Sequence, residues 1–187
     1  MGTILVSIEP VSPTTIDKLI KPARPSLHTI SHLGCVVHWS SDQPLRILHP
    51  SFADFLTDHE RCTVAKWHID LPSHHRRLVH QCLKYLNEKL RENVLGKKRD
   101  CNGRFYDYST PECLAYASTY WIEHLCRVTD DDVAILVGEV DQFLKQHLLH
   151  WFEVMSTVNR IIKTVHLLEM LQEWLKVSLS SLNELCR

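Results

Sequence analysis

Beyond about Asp58 the chain is a succession of stretches that are apolar on one face only, and none of them can fold by itself. "LPSHHRRLVHQCLKYLNEKLREN" carries Val79, Leu83, Leu86 and Leu90 at helical spacing. "TPECLAYASTYWIEHLCRV" opens with Thr110 as a cap and Pro111 at the first helical position. "TDDDVAILVGEVDQFLKQHLLHWF" opens with Thr129 and the acids Asp130–Asp132, which suit a helix N-terminus. Its expected apolar face is Val133, Val137, Val140, Leu144, Leu148 and Trp151. "MSTVNRIIKTVHLLEMLQEWLKV" places Val158, Ile161, Val165, Leu168 and Leu175 on one stripe. Each helix needs a neighbour to cover its apolar face, so three or four must pack as a bundle or as stacked helical pairs. Trp121, Trp151 and Phe152 are expected to fill that core. Between the first two stretches, "LGKKRDCNGRFYDYS" holds Gly96, Gly103 and a basic run and reads as a loop.

The first part of the chain is built from shorter pieces. Ser12 and Pro13 open a helix to Ile20, and "KPARP" is a Pro-broken connection. "SLHTISHL" puts Leu27, Ile30 and Leu33 on one face and meets Gly34, an expected C-cap. "CVVHW" and "PLRILH" flank the polar "SSDQ" and make a β-hairpin. Ser51 is the expected cap of "SFADFLTD", with Phe52, Phe55 and Leu56 on one face. If Met1–Ile8 supplies the first element, the order is that of a winged helix. The fold class expected is therefore mainly α: a small winged-helix-like domain with a short β-hairpin over 1–58, then an α-helical bundle over 59–187.

Composition narrows the function classes. The formal net charge of −1 argues against a general nucleic-acid binder, which carries a basic excess. The would-be reading helix "SLHTISHL" has no Lys or Arg for phosphates or base edges, so its residue chemistry argues against a DNA-binding winged helix. The 7 Cys (35, 62, 82, 101, 113, 126 and 186) are scattered singly, mostly within apolar-periodic stretches, which fits reduced, buried thiols in a cytoplasmic protein better than a disulfide framework. "ILVSI" is too short for a signal peptide, and no apolar run reaches membrane-spanning length. Gly2 lacks the Ser or Thr downstream, at Val6, that a myristoylation signal wants.

Chemistry-bearing patterns are sparse. Cys35 and His38 have a ligand-like gap but no second pair at finger spacing, and His74, His75 and His80 are not spaced as zinc ligands, so no metal is expected. There is no phosphate-cradling G-x-x-x-x-G-K-[ST], no G-x-S-x-G elbow and no catalytic Cys signature, so no enzyme is expected. His49, in "ILHPSF", stands at the joint between a strand and a helix, where packing, ligation, base and phosphate roles are all open.

The stretch "EPVSPTTIDKLI … RPSLHTISHLGCVVHWSSDQPLRILHPSFADFLTD" closely resembles the region after the ATPase core in fungal NACHT-domain proteins of the STAND class. "WHIDLPSHHRRLVHQCLKYLNEKLREN" and "LAYASTYWIEHLC" through "FLKQHLLHWFEVMS" resemble the helical region that follows there. The resemblance implies a signalling switch of non-self recognition and programmed cell death, in which a NACHT module binds ADP or ATP and a winged helix closes over it. It implies that His49 contacts the β-phosphate of ADP and helps hold the closed state. A helix N-terminus and an imidazole N–H suit that anion. By the same resemblance the chain starts after the Walker motifs and ends before the sensor repeats. It is expected to be a non-enzymatic regulatory fragment that binds nucleotide only when joined to a NACHT core, its partners being that module and the sensor repeats. The alternatives are a stand-alone helical interaction module and, last, a DNA binder.

Overall fold

The computed structural model describes residues 1–40, 43–91, 110–129 and 133–185. The expected loop "LGKKRDCNGRFYDYS", the acidic cap Asp130–Asp132 and Cys186 lie outside the described residues. The chain is mainly helical, with one two-stranded antiparallel hairpin among the described residues. It divides into two compact units, Met1–Leu78 and Val79–Arg187.

In the first unit, α1 (Gly2–Val6) precedes α2 (Pro13–Ile20), whose Ser12 cap accepts the Thr15 N–H with Pro13 at N1, as the sequence leads one to expect. α2 ends at Lys21, held in the left-handed region at φ 46°. α3 (Ser26–Ile30) is fastened to α2 by two bonds: Ser26 N–H donates to Asp17 Oδ1 at 2.8 Å, and Ser26 Oγ donates to the Pro13 carbonyl at 3.2 Å. α3 tightens into a 3-10 turn, Ser31–Leu33, and Gly34 keeps right-handed backbone angles (φ −59°, ψ −17°). The left-handed glycine cap expected at Gly34 is thus replaced by tightening of the last turn, another way to satisfy terminal carbonyls. Of the expected face only Ile30 is fully buried, and Leu27 stays exposed.

The hairpin pairs β1 (Val37–Ser40) with β2 (Gln43–Ile47) in the register Val37↔Ile47, His38↔Arg46 and Ser40↔Gln43. Val37 and Leu45 point inward, the period-2 pattern of a half-buried sheet. The Leu45 N–H donates to the Val11 carbonyl at 2.9 Å, a backbone bond that ties the segment before α2 to β2. α4 (Pro50–Thr57) follows. Leu56 is buried with Cys62 and Ile69, with Leu5, Phe52 and Phe55 against them, and Ile69 N–H donates to the Leu56 carbonyl at 2.8 Å. The division expected after Asp58 therefore falls later, because the segment after α4 packs back onto it; it lies within α5 (Leu71–Lys89).

The second unit contains the rest of α5 with α6 (Glu112–Leu125), α7 (Val133–Thr157) and α8 (Ile161–Leu185). Val79, Leu83, Leu86 and Leu90 are all buried, the stripe expected for α5. α6 is buried on nearly every side. Trp121 meets Phe143 and Trp151 edge-on, at ring separations of 5.2 and 5.9 Å. Trp151 Nε1–H donates to the Ser118 carbonyl at 2.8 Å, so this core indole has its partner. Phe152 is only partly buried.

Two expectations about α7 and α8 are corrected. The core side of α7 is Leu136, Val140, Phe143, Trp151 and Val154, while Leu144 and Leu148 are half-buried at its edge. The helix is apolar over much of its circumference, and the larger rings choose the inward phase by packing on Trp121. Nor does one stripe run from Val158 into α8. Asn159 takes φ 57°, its N–H donates to the Ser156 carbonyl (3.2 Å), and the Arg160 N–H donates to the Met155 carbonyl (2.8 Å). That is a Schellman motif with Asn at the left-handed position, and it turns the chain between the two helices. α8 then buries Thr164, Leu167 and Leu171, leaving Ile161 and Val165 exposed.

Candidate functional site

Pro50 at the first position of α4 forces the residue before it out of the helical region. His49 accordingly sits extended at φ −142°, ψ 131°. From there its ring folds over the helix start, and Nδ1 accepts the Ser51 N–H at 3.1 Å and lies 2.7 Å from Ser51 Oγ. The N-cap is therefore His49, not the expected Ser51. Ser51 is the residue being capped, because Pro50 moves the helix start two places towards the N-terminus. With Nδ1 accepting, the ring proton is on Nε2. The side chain is exposed. What the joint offers chemically is an imidazole oriented by its own helix, with an N–H donor at the positive end of α4.

The remaining histidines and cysteines separate. Cys35 is exposed, and Cys62, Cys82 and Cys113 are buried thiols outside any disulfide, as expected of reduced cysteines. Among the described residues no group of three or more His, Cys, Asp or Glu is arranged to hold a metal. His74, His75 and His80 do not converge. His74 packs under Gly2, where there is no room for a Cβ. His75 is buried. His80 Nδ1 pairs with Glu139 Oε2 at 2.7 Å. Asp70 caps α5 by accepting the Ser73 N–H at 3.0 Å, and its carboxyl is held below the usual range first by the side-chain hydrogen bond with Ser73 and then by that backbone bond. The His74 pKa is lowered, first by burial, then by the Met1 amino group and Arg77, with Asp70 opposing.

Two concavities were not foreseen. One, of about 210 Å³ in the first unit, is lined by Ile16, Ile20, Ile30, Arg24, His74 and Arg77 among others. The other, of about 480 Å³ in the second unit, is a polar groove around the His80–Glu139 pair with Lys84, Asn87, Glu88 and Gln142. His49 lines neither. Arg24 sits in a Pro-broken connection and His74 and Arg77 on a distant helix, so no sequence spacing announces that they share a cavity. Among the described residues no helix is long and apolar enough to cross a membrane. Compared with protein-family models, curated proteins and solved structures, the chain matches none.

Proposed function

We propose that this chain is a non-enzymatic regulatory and scaffold segment of a NACHT-type STAND signalling ATPase, a winged-helix-like unit followed by a helical one, acting in the cytoplasm. The observation that carries the reading is the state of His49: its Nδ1 is used by the cap of α4, which leaves an oriented Nε2–H exposed at a helix N-terminus. Such a donor suits the β-phosphate of an ADP held by a neighbouring NACHT module. The winged-helix reading is supported by the element order and by the Val11–Leu45 bond, which ties the segment before α2 to the hairpin.

The test is made in a parent protein that carries the ATPase core. His49→Ala removes both the cap and the donor, whereas His49→Asn keeps a capping side chain and removes the imidazole. Faster ADP release and raised basal signalling in both variants is the expected result. An ADP off-rate unchanged in both would sink the phosphate role.

A second reading, a helical protein–protein interaction module, is favoured by the apolar side chains left exposed on α7 and α8: Ile135, Leu149, Ile161, Ile162 and Val165. Nucleotide-independent pull-down of one defined partner, lost in Ile162→Glu, would favour it over the first.

A further inference from the structure

The lining of the cavity of the first unit is of two kinds. Ile16, Ile20 and Ile30 are apolar. Arg24, from the connection between α2 and α3, and Arg77, on α5, are cations, and His74, one turn from Arg77, adds an imidazole whose pKa is lowered. Among the described residues neither Arg24 nor Arg77 has a carboxylate partner. The nearby Asp70 is already engaged with the Ser73 N–H. Cations from two elements gathered without an anion repel one another, and the arrangement is relieved by a bound negative group. A phosphate monoester supplies about −1.5 to −2 charges at neutral pH and accepts the bidentate bonds guanidinium groups offer. The apolar lining is of no use to a bare ion but suits an organic body, the usual division of a small-molecule pocket.

We propose that this cavity binds a small organic phosphate, its phosphoryl group held by Arg24, Arg77 and His74 and its apolar body laid against Ile16, Ile20 and Ile30. Neither His49 nor a NACHT module takes part, so the site stands or falls separately from the function proposed above. His74, whose pKa is lowered first by burial, reports binding, because a dianion beside it favours the imidazolium.

The experiment is an NMR titration of the full chain with phenyl phosphate, inorganic phosphate and phenol. The expected result is that phenyl phosphate moves the amides of Thr3, Ser26 and Thr29 and raises the His74 titration midpoint. It should bind about tenfold or more tightly than inorganic phosphate, with phenol weaker still. Arg24→Ala and Arg77→Ala, both at exposed positions, should each weaken phenyl phosphate about tenfold. Circular dichroism checks that they fold, and Arg24→Lys and Arg77→Lys serve where they do not, losing affinity by a smaller factor. No binding of phenyl phosphate in the millimolar range overturns the proposal. So does binding unaltered by the arginine substitutions, binding matched by phenol, or binding matched by inorganic phosphate.

Discussion

The imidazole Nδ1 of His49 accepts the Ser51 backbone N–H at 3.1 Å, so a histidine does at the start of α4 what Ser, Thr, Asn or Asp usually does. That separates two roles which a simple alanine substitution would confuse. His49→Ala should cost about 1 kcal/mol of stability through loss of the cap, and His49→Asn much less, because Asn caps well. Urea unfolding of the isolated chain measures both, and an equal loss in the two variants would remove the capping account.

Gly2 has no tolerance for a side chain, since a Cβ there would fall on the His74 ring. Gly2→Ala should therefore destabilise the first unit by about 1–3 kcal/mol, the usual penalty of overpacking. Gly2→Ala combined with His74→Ala should recover most of the loss. A double-mutant cycle with no coupling would show that the contact does not matter.

Trp151 and Ser118 join α7 to α6 through a buried indole N–H. Trp151→Phe keeps an aromatic ring but leaves the Ser118 carbonyl without this donor, at a cost of about 1–3 kcal/mol. Trp121→Ala, which empties the middle of the ring cluster, should cost about 3–5 kcal/mol. Chemical denaturation followed by far-UV circular dichroism gives both values, and their order is the point at issue.

Asn159 adopts φ 57°, a conformation that costs most residues about 1–2 kcal/mol. Asn159→Gly should be neutral or stabilising, and Asn159→Val destabilising by about that amount. Thermal unfolding of the two variants side by side decides it; Val tolerated as well as Gly would mean the turn is not held as described.

One buried and one half-buried group give the stability a pH dependence of opposite sign. The thiol of Cys82 is held well above its ordinary range by burial and then by neighbouring Cys113. The folded form keeps a proton that the unfolded chain releases, so the stability is complete below pH 9.0 and declines as the pH rises above it. His74 is depressed, so its contribution is present above pH 6.5, its ordinary value, and is lost as the pH falls below that. Unfolding free energies measured across both ranges should fall at each end. Cys82→Ala should flatten the alkaline limb, and His74→Gln the acidic one.

What could be read from the chain followed the strength of local signals. Ser12–Pro13 at a helix start, the alternation around Val37 and Leu45 and the stripe Val79–Leu83–Leu86–Leu90 each have one physical solution, and each is found. The phases of α7 and α8 were not readable, because helices apolar on more than one side leave the choice to packing, and packing on Trp121 made it. The break at Asn159 carries neither Gly nor Pro to mark it. His49 was visible as a residue at a joint, but its capping bond depended on Pro50 shifting the helix start. The cationic lining of the first cavity joins Arg24 to residues far along the chain, which only the fold brings together.

The turn at Asn159 also bears on how the second unit comes into being. α7 and α8 are joined directly through a self-capped reversal, so closing their contact encloses almost no loop and costs little chain entropy. Pairing α7 with α6, by contrast, requires a longer stretch of chain to be gathered. The hairpin of the last two helices is thus placed to form early and to wait, half-covered, for α6 to bring Trp121 against α7.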